Sequence, residues 1–160
     1  MMTDARSAQL MPIDKRGSLA LKSIAEQPWS PHTPARVVVA DDDPEMRSLI
    51  AAALRKDGHE VTEFTDGMRL LVHVIAREDQ PARAFDLVIS DLRMPVSSGL
   101  QILRGLRHSG WRLPFILCTA FGDESTRNEA EKLGALFFDK PFDLDDLRMA
   151  VRGILSPEED

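Results

Sequence analysis

The sequence predicts an α/β protein in which five parallel strands form a sheet with helices on both faces. Two observations support this fold class. Short apolar runs of strand length alternate along the chain with amphipathic stretches of helical length. Each strand–helix unit takes about 22 to 28 residues, which is long enough for a crossover into another parallel strand. The carboxyl ends of such strands share one edge of the sheet, where the sites of α/β proteins form.

The first two strand–helix units begin at Val37. Residues 37–40 form a β-branched run that suits a strand buried on both faces. The next helix has Pro44 in its first turn and is ended by Gly58, and its expected apolar stripe comprises Met46, Leu49, Ile50, Ala53 and Leu54. A weaker strand at 61–64, expected at an edge of the sheet, precedes a helix near 67–77.

The other three units repeat this order. Strands are predicted at 85–90, 113–118 and 135–139, and helices near 99–107, 124–133 and 144–155. Residues 1–35 contain several prolines and no sustained periodicity, so we expect a flexible N-terminal extension in which residues 18–27 can form a short helix. The regular domain then covers 36–155, and 156–160 is a short acidic tail.

Composition limits the class of protein. The chain has 160 residues, of which 43% are hydrophobic and 29% charged, as in soluble globular proteins of one domain. Its net charge of −6 argues against a nucleic-acid backbone as a partner. It has no apolar run of membrane-spanning length, and Cys118 is the only cysteine, so an internal disulfide cannot form. We expect a cytoplasmic protein that contacts neither nucleic acid nor membrane directly.

Polar residues at the strand ends supply the chemistry. The residues that follow strands one, three, four and five include Asp41, Asp42, Asp43, Asp91, Thr119 and Lys140. Clustered carboxylates repel one another unless a cation compensates them, and a few hard oxygen ligands suit Mg²⁺. The metal and Lys140 would neutralise a phosphoryl group at Asp91, and a carboxylate can act as a nucleophile toward phosphorus.

Four motifs at these positions resemble the receiver domains of two-component response regulators. They are VVADDDP at 38–44, VISDLRMP at 88–95 followed by Gly99, LCTA at 117–120 and DKPF at 139–142. The resemblance covers about residues 36–155. It implies a flavodoxin-like fold with strand order 2-1-3-4-5, and a regulatory phospho-switch rather than a metabolic enzyme.

The resemblance also implies a role for individual residues. Asp91 is then the phosphoacceptor, and Asp42 and Asp91 bind Mg²⁺ directly. Asp41 assists, usually through water, and the backbone carbonyl of Arg93 supplies a further ligand. These assignments would give a magnesium site built from the ends of strands one and three.

The remaining roles concern the phosphoryl group and the switch. By resemblance, Thr119 and Lys140 contact the phosphoryl group, and Thr119 and Phe137 move when it is present. Phe137 stands where the family often has tyrosine, so no phenol is available there for hydrogen bonding. The family also suggests that side chains two residues after Asp91 and Thr119 line the path of the hydrolytic water, which are Arg93 and Phe121 here.

The implied partners are proteins. A sensor histidine kinase or a phosphotransfer protein would supply the phosphoryl group. A downstream protein or a second copy of the chain would bind the face formed by the helix at 124–133, the strand at 135–139 and the helix at 144–155. Exposed side chains expected on that face are Arg127, Glu131, Arg148 and Arg152. No output domain follows in this sequence, so we expect action through protein contact alone, or a piece of a longer chain.

Two alternatives remain open at this point. A haloacid-dehalogenase-like phosphatase would use Asp41 as its nucleophile, but Glu45 stands where that family's Asp-x-Asp-x-Thr pattern has threonine or valine. A degenerate receiver would fold without accepting phosphate. That second alternative is disfavoured because all four expected site residues are present, namely Asp42, Asp91, Thr119 and Lys140.

Overall fold

The structure, a computed structural model, describes residues 34–75 and 85–155. Its strands are β1 (Arg36–Ala40), β2 (Glu60–Phe64), β3 (Leu87–Asp91), β4 (Phe115–Thr119) and β5 (Leu136–Asp139). Its helices are α1 (Pro44–Lys56), α2 (Gly67–Ile75), α3 (Gly99–His108), α4 (Glu124–Lys132) and α5 (Leu144–Leu155). Neighbouring strands are parallel in the order β2-β1-β3-β4-β5, so the predicted fold class and strand order are confirmed.

The sheet separates two hydrophobic cores, because successive side chains of a strand point to opposite faces. On one face, α1 and α5 contribute Ile50, Leu54, Leu147 and Val151 to a core with the β1 residues Val37 and Val39. On the other face, α2, α3 and α4 pack on Val38 and Ala40 through residues that include Leu70, Leu103 and Ala130. The helices therefore cover both faces, as the sequence predicted.

Strands β3 and β4 begin two residues later than predicted and end one residue later. Pro114 has no N–H to donate to a ladder, although its carbonyl accepts a hydrogen bond from the Val88 N–H (3.0 Å). Phe85 is buried but lies before the strand. As a result, Asp91 and Thr119 are the last residues of their strands rather than the first residues of loops.

The apolar face of α1 also differs at one position. Leu49 is 56% exposed, whereas Ile50, Ala51 and Leu54 are buried. Ala51 lies beside Ile50 on the helix, so the buried stripe is shifted by part of a turn from the predicted one. The prediction that Leu49 packs in the core was wrong.

Local signals fix where the helices begin and end. Asp43 caps α1, because its carboxylate accepts the Glu45 N–H at 3.0 Å. Gly58 follows α1 with φ +97°, a conformation that glycine adopts without a Cβ clash. Ser98 and Gln101 form a capping box at the start of α3. These caps place the amino ends of α1 and α3 at the edge of the sheet where β1 and β3 end.

Parts of the predicted extension lie outside the described residues. These include the predicted helix at 18–27 and the acidic tail at 156–160. Ala35, assigned from sequence to the extension, is 1% exposed and its carbonyl accepts the Glu60 N–H at 2.8 Å. Among the helices that the structure describes, none is both long enough and apolar enough to cross a membrane.

Candidate phosphorylation and metal site

The charged residues predicted from the sequence meet at the carboxyl-terminal edge of the sheet. The strands β1, β3, β4 and β5 are consecutive neighbours, so their ends lie side by side. Asp91 ends β3 and Thr119 ends β4, while Asp41 and Lys140 directly follow β1 and β5. The backbone N–H of Lys140 also donates to the carbonyl of Thr119 at 2.8 Å, which ties the end of β5 to the end of β4.

Three carboxylates form a cluster at this edge. Asp41, Asp42 and Asp91 each offer an oxygen, and these oxygens lie within 4.8 Å of one another. Asp41 is 2% exposed and Asp91 is 8% exposed, whereas Asp42 lies at the surface. The ammonium of Lys140 lies 2.9 Å from Asp41 Oδ2 and 3.5 Å from Asp91 Oδ1. The cluster is thus partly neutralised from one side and open to water at Asp42.

The electrostatic balance differs between the acid and the base. Burial and the negative charge of Asp41 raise the pKa of Asp91 to about 6, against the opposing effect of Lys140. Burial disfavours the charged form of Lys140, but its hydrogen bond to Asp41 and the nearby carboxylates outweigh this and raise its pKa. Lys140 is therefore charged at neutral pH, and the Asp91 carboxylate carries a charge that an added cation would stabilise.

The donor set fits Mg²⁺ by its chemistry. Carboxylate oxygens in small number, with room for water, are the ligands that this ion prefers. Both Asp41 oxygens already accept hydrogen bonds, from the Asp43 N–H (2.9 Å) and from Lys140 Nζ (2.9 Å). Asp42 and Asp91 are therefore better placed than Asp41 to bind a metal ion directly.

The loop between β3 and α3 packs tightly against the end of β3. The Gly99 N–H donates to the Leu92 carbonyl at 2.9 Å. A Cβ atom on Gly99 would lie 2.4 Å from the carbonyl oxygen of Asp91 and 2.7 Å from Leu117 Cδ1. Within the same loop, Val96 has φ +73°, a conformation that β-branched residues rarely adopt. Only glycine at position 99 lets α3 begin this close to Asp91.

Thr119 and Phe137 border the same small space on the α4 side of the site. Thr119 is fully buried, and its Oγ1 accepts the Phe121 N–H at 3.0 Å. A Cβ atom on Gly122 would lie 2.3 Å from Phe137 Cζ and 3.0 Å from Thr119 Cγ2. The Phe137 ring is partly buried and lies under the guanidinium of Arg127, 4.4 Å from the ring centroid. The two predicted switch residues are therefore near neighbours at Gly122.

Arg93 and Phe121 form a pair at the rim. The Arg93 guanidinium carbon lies 4.3 Å from the centroid of the Phe121 ring, and that side chain is 63% exposed. An open cleft of about 540 Å³ reaches from Asp42 past both residues to Asp123. The pair thus lies along the approach from solvent to the carboxylate cluster.

The predicted site residues fall into two groups in the structure. Lys140 forms ion pairs with Asp41 and Asp91, and an oxygen of Asp42 lies within 4.8 Å of an oxygen of each of these two carboxylates. Thr119 and Arg93 lie on the same edge, next to that cluster along the sheet and the cleft, with no direct side-chain contact to it among the described contacts.

Some functional neighbours were missed from the sequence. Gly122 has no room for a side chain and lies three residues after the end of β4. A glycine so close to a strand end that carries a site residue is a signal that could have identified this position. Arg127 was expected only as an exposed residue, yet it covers Phe137 and pairs with Asp139. The contact of Arg47 with the backbone of Asp41 (2.8 Å) was also not foreseen, because it depends on how α1 follows β1 in space.

One residue of the expected output face was assigned wrongly. Arg148 binds Asp57 at the end of α1 with two nitrogens, at 2.6 and 2.9 Å, and also contacts Asp145. Its guanidinium is therefore directed to α1 and is held there. Glu131 and Arg152 are exposed, as expected.

Comparison with known proteins gives one consistent result. A family model described as the response regulator receiver domain matches residues 37–152. The response regulator protein PmrA of Pseudomonas aeruginosa is 38% identical over 120 residues, which cover 74% of this chain and 52% of PmrA. Sporulation initiation phosphotransferase F of Bacillus subtilis is 31% identical, over 75% of this chain and 93% of its own length. The chain therefore spans about half the length of PmrA and most of the phosphotransferase.

Solved structures agree with this result. The response regulator TrrA of Thermotoga maritima, in a complex with Mg²⁺ and BeF, superposes with a TM-score of 0.65 at 27% identity. The alignment covers 76% of this chain and 99% of TrrA. A chemotaxis protein CheY4 of Vibrio cholerae superposes equally well, with a TM-score of 0.65 at 25% identity.

Proposed function

The chain belongs to the response regulator receiver domain family, and we propose that its Asp91 accepts a phosphoryl group while Mg²⁺ is bound beside it. The observation that carries this proposal is the position of Asp91. It is the buried end residue of β3, its pKa is raised to about 6, and it lies within 4.8 Å of the exposed carboxylate of Asp42 and 3.5 Å from the ammonium of Lys140. At neutral pH it is a carboxylate, which is the form that can attack phosphorus.

The proposed transfer uses Asp91 as the nucleophile. An oxygen of its carboxylate forms the new bond to phosphorus, and the bond from phosphorus to a histidine nitrogen of the donor breaks. The electron pair of the broken bond stays on that imidazole. Lys140, which is charged and 3.5 Å from Asp91, is placed to stabilise the oxygens of the phosphoryl group.

A bound Mg²⁺ would supply positive charge to the same oxygens. Asp42 and Asp91 would hold it directly, with the backbone carbonyl of Arg93 as a further ligand and Asp41 acting through water. TrrA, a relative by structure, was solved with Mg²⁺ and BeF, which supports this assignment. Because Asp41 is 2% exposed and both its oxygens accept hydrogen bonds, it is poorly placed as the nucleophile of a phosphatase.

Phosphorylation would act on the neighbouring Thr119 and Phe137. We propose that Thr119 turns from the Phe121 N–H to the phosphoryl group, and that the Phe137 ring, which already lies against Gly122, follows into the space that Thr119 leaves. That change would alter the face formed by α4, β5 and α5, as a shift between two populated states. A histidine kinase or phosphotransfer protein is the proposed donor, and a protein target or a second copy of the chain the proposed receiver of the signal.

The phosphosite can be tested by intact-mass spectrometry. We expect the protein to gain one phosphoryl group when incubated with acetyl phosphate and Mg²⁺, and Asp91→Asn to gain none. Asp66→Asn is a matched control, because it removes a carboxylate just after the edge strand β2 while asparagine can still accept the Arg69 N–H, and it should be labelled like the wild type. A label found on Asp41, or retained in Asp91→Asn, would contradict the proposal.

The metal ligand can be tested separately. Asp42→Ala should weaken Mg²⁺ binding by one to two orders of magnitude, since it removes one of the two carboxylates expected to bind the ion directly. Isothermal titration calorimetry of Mg²⁺ into each protein measures this effect, with Asp66→Asn again as the control. Equal affinity in Asp42→Ala and wild type would rule out this ligand.

A further inference from the structure

Arg47 makes an unexpected contact at the start of α1. It lies about one turn into the helix, where the helix dipole favours acidic side chains over cations. Its side chain is nevertheless only 16% exposed. Nη1 donates to the backbone carbonyl of Asp41 at 2.8 Å, and Nε donates to Glu63 on β2 at 3.3 Å. A guanidinium can make both contacts at once because its donors point in different fixed directions.

Asp41 is held through all of its polar groups. Its N–H donates to the carbonyl of Phe64 at 3.2 Å. One carboxylate oxygen accepts the Asp43 N–H and the other accepts Lys140 Nζ, both at 2.9 Å. The backbone carbonyl is the remaining group, and Arg47 supplies its donor. Asp42 is the next residue, so the direction in which its side chain leaves the backbone depends on this peptide.

We infer that Arg47 is a positioning residue for the Mg²⁺ site and acts through the backbone of Asp41. The inference rests on the proposed function, because it requires that Asp42 binds the ion. Glu63 accepts from Arg47 and also from Arg55 (3.0 Å). The negative charge of Glu63 offsets the positive charge of Arg47, which reduces the repulsion between Arg47 and an incoming cation. Arg47 can therefore orient the loop without strongly opposing Mg²⁺ binding.

Arg47 could affect Mg²⁺ binding by orienting the loop or through its positive charge, and these two roles predict different results for substitutions of Arg47. If Arg47 orients the loop, both Arg47→Met and Arg47→Lys should weaken Mg²⁺ binding by roughly tenfold, as is typical when a group that orients a metal ligand is removed. Lysine keeps the charge but cannot make both contacts. If only the charge mattered, Arg47→Met would bind Mg²⁺ more tightly than wild type and Arg47→Lys would bind it equally well.

Arg55→Met is the matched control. It removes the second cation paired with Glu63 but leaves the contact between Arg47 and Asp41. Its Mg²⁺ affinity should equal that of the wild type. Thermal unfolding without Mg²⁺ gives the melting temperature of each variant. Calorimetric titration with MgCl₂ alone is then done well below the lowest of these temperatures. Should Arg47→Met not fold, Arg47→Lys against Arg55→Met gives the same comparison.

The outcomes separate this inference from the proposed function. If wild type binds Mg²⁺ and Asp42→Ala does not, while the Arg47 variants bind as tightly as wild type, Arg47 does not position the site. If neither wild type nor Arg55→Met binds Mg²⁺, or if Asp42→Ala binds it unchanged, the proposed metal site itself is wrong. Weaker binding in both Arg47 variants with unchanged binding in Arg55→Met supports the inference.

Discussion

Carboxylates at the carboxyl-terminal and amino-terminal ends of the sheet have pKa values that are shifted in opposite directions. At the carboxyl-terminal edge, Asp91 is buried beside Asp41, and its pKa is raised to about 6. At the other end, Asp57 follows α1 and binds the forked guanidinium of Arg148, whose hydrogen bonds lower the pKa of Asp57. The Asp57 carboxylate stabilises the folded chain, whereas the charge of Asp91 is only partly compensated by Lys140 and would be stabilised further by an added cation. At the carboxyl-terminal edge of the sheet, which we call the functional edge, clustered negative charge favours binding of a cation but lowers the stability of the free protein.

The largest expected effect concerns the backbone at the functional edge. Gly99→Ala should destabilise the protein by about 3 kcal/mol or more, because its Cβ would overlap the carbonyl oxygen of Asp91. Gly105→Ala, in the same helix, meets no atom within 4 Å and should stabilise by about 1 kcal/mol through helix propensity. Urea unfolding of both variants measures the difference. Equal stabilities would show that α3 can move away from Asp91 at little cost.

The next effect tests the contrast between the two carboxylates directly. Without Mg²⁺ at pH 7, Asp91→Asn should stabilise the protein by about 3 kcal/mol, since its pKa is raised from 3.8 to about 6 and one pKa unit corresponds to about 1.4 kcal/mol. Asp57→Asn should lower the melting temperature by roughly 4 °C, because it removes the negative charge and one of the two oxygens that accept from Arg148. Thermal unfolding of the two variants gives both signs. Destabilisation by Asp91→Asn would mean that its charge is already compensated in the free protein.

The pH dependence of the free energy of unfolding follows from the shifted pKa values of Asp91 and Asp57. The folded-state pKa of Asp91 is above its unfolded value, so the cost of its charge is present above pH 6 and disappears as the pH falls toward 4. The stability difference between Asp91→Asn and wild type should therefore shrink over this window. For Asp57, whose folded pKa is lowered, the stabilising contribution is kept over the same range and is lost only below about pH 3.8. Urea unfolding at intervals from pH 7 to pH 4 measures both trends, and a constant difference for Asp91→Asn would contradict the raised pKa.

The smallest expected effect lies at the rim of the functional edge. Arg93 covers Phe121, and the pair borders the cleft that leads to the carboxylates. A double variant, Arg93→Asn with Phe121→Glu, should lose phosphate a few-fold faster than wild type because water reaches the acyl phosphate more easily. Decay of the phosphorylated protein followed by mass spectrometry tests this. Decay at the wild-type rate would show that the pair does not limit access of water.

The sequence predicted the sheet and the acidic cluster because both depend on short-range signals. β-branched runs mark the buried strands, and the carboxyl ends of neighbouring parallel strands must meet, so Asp42, Asp91 and Lys140 could be placed together. The roles of Arg47 and Arg148 could not be predicted, because each depends on side chains that reach another element. The start of β4 was misplaced because Leu113 is apolar, although Pro114 cannot donate to a ladder.

The single cysteine has a practical consequence. Cys118 lies within β4, is 1% exposed, and burial raises the pKa of its thiol to about 12. Alkylating reagents react with thiolates in contact with solvent, so the native thiol is protected in the folded chain. A cysteine introduced on the exposed face of α4, for example at Asn128, can therefore be labelled selectively without removing Cys118. A fluorophore attached there would test the proposed movement of α4 in otherwise unaltered protein.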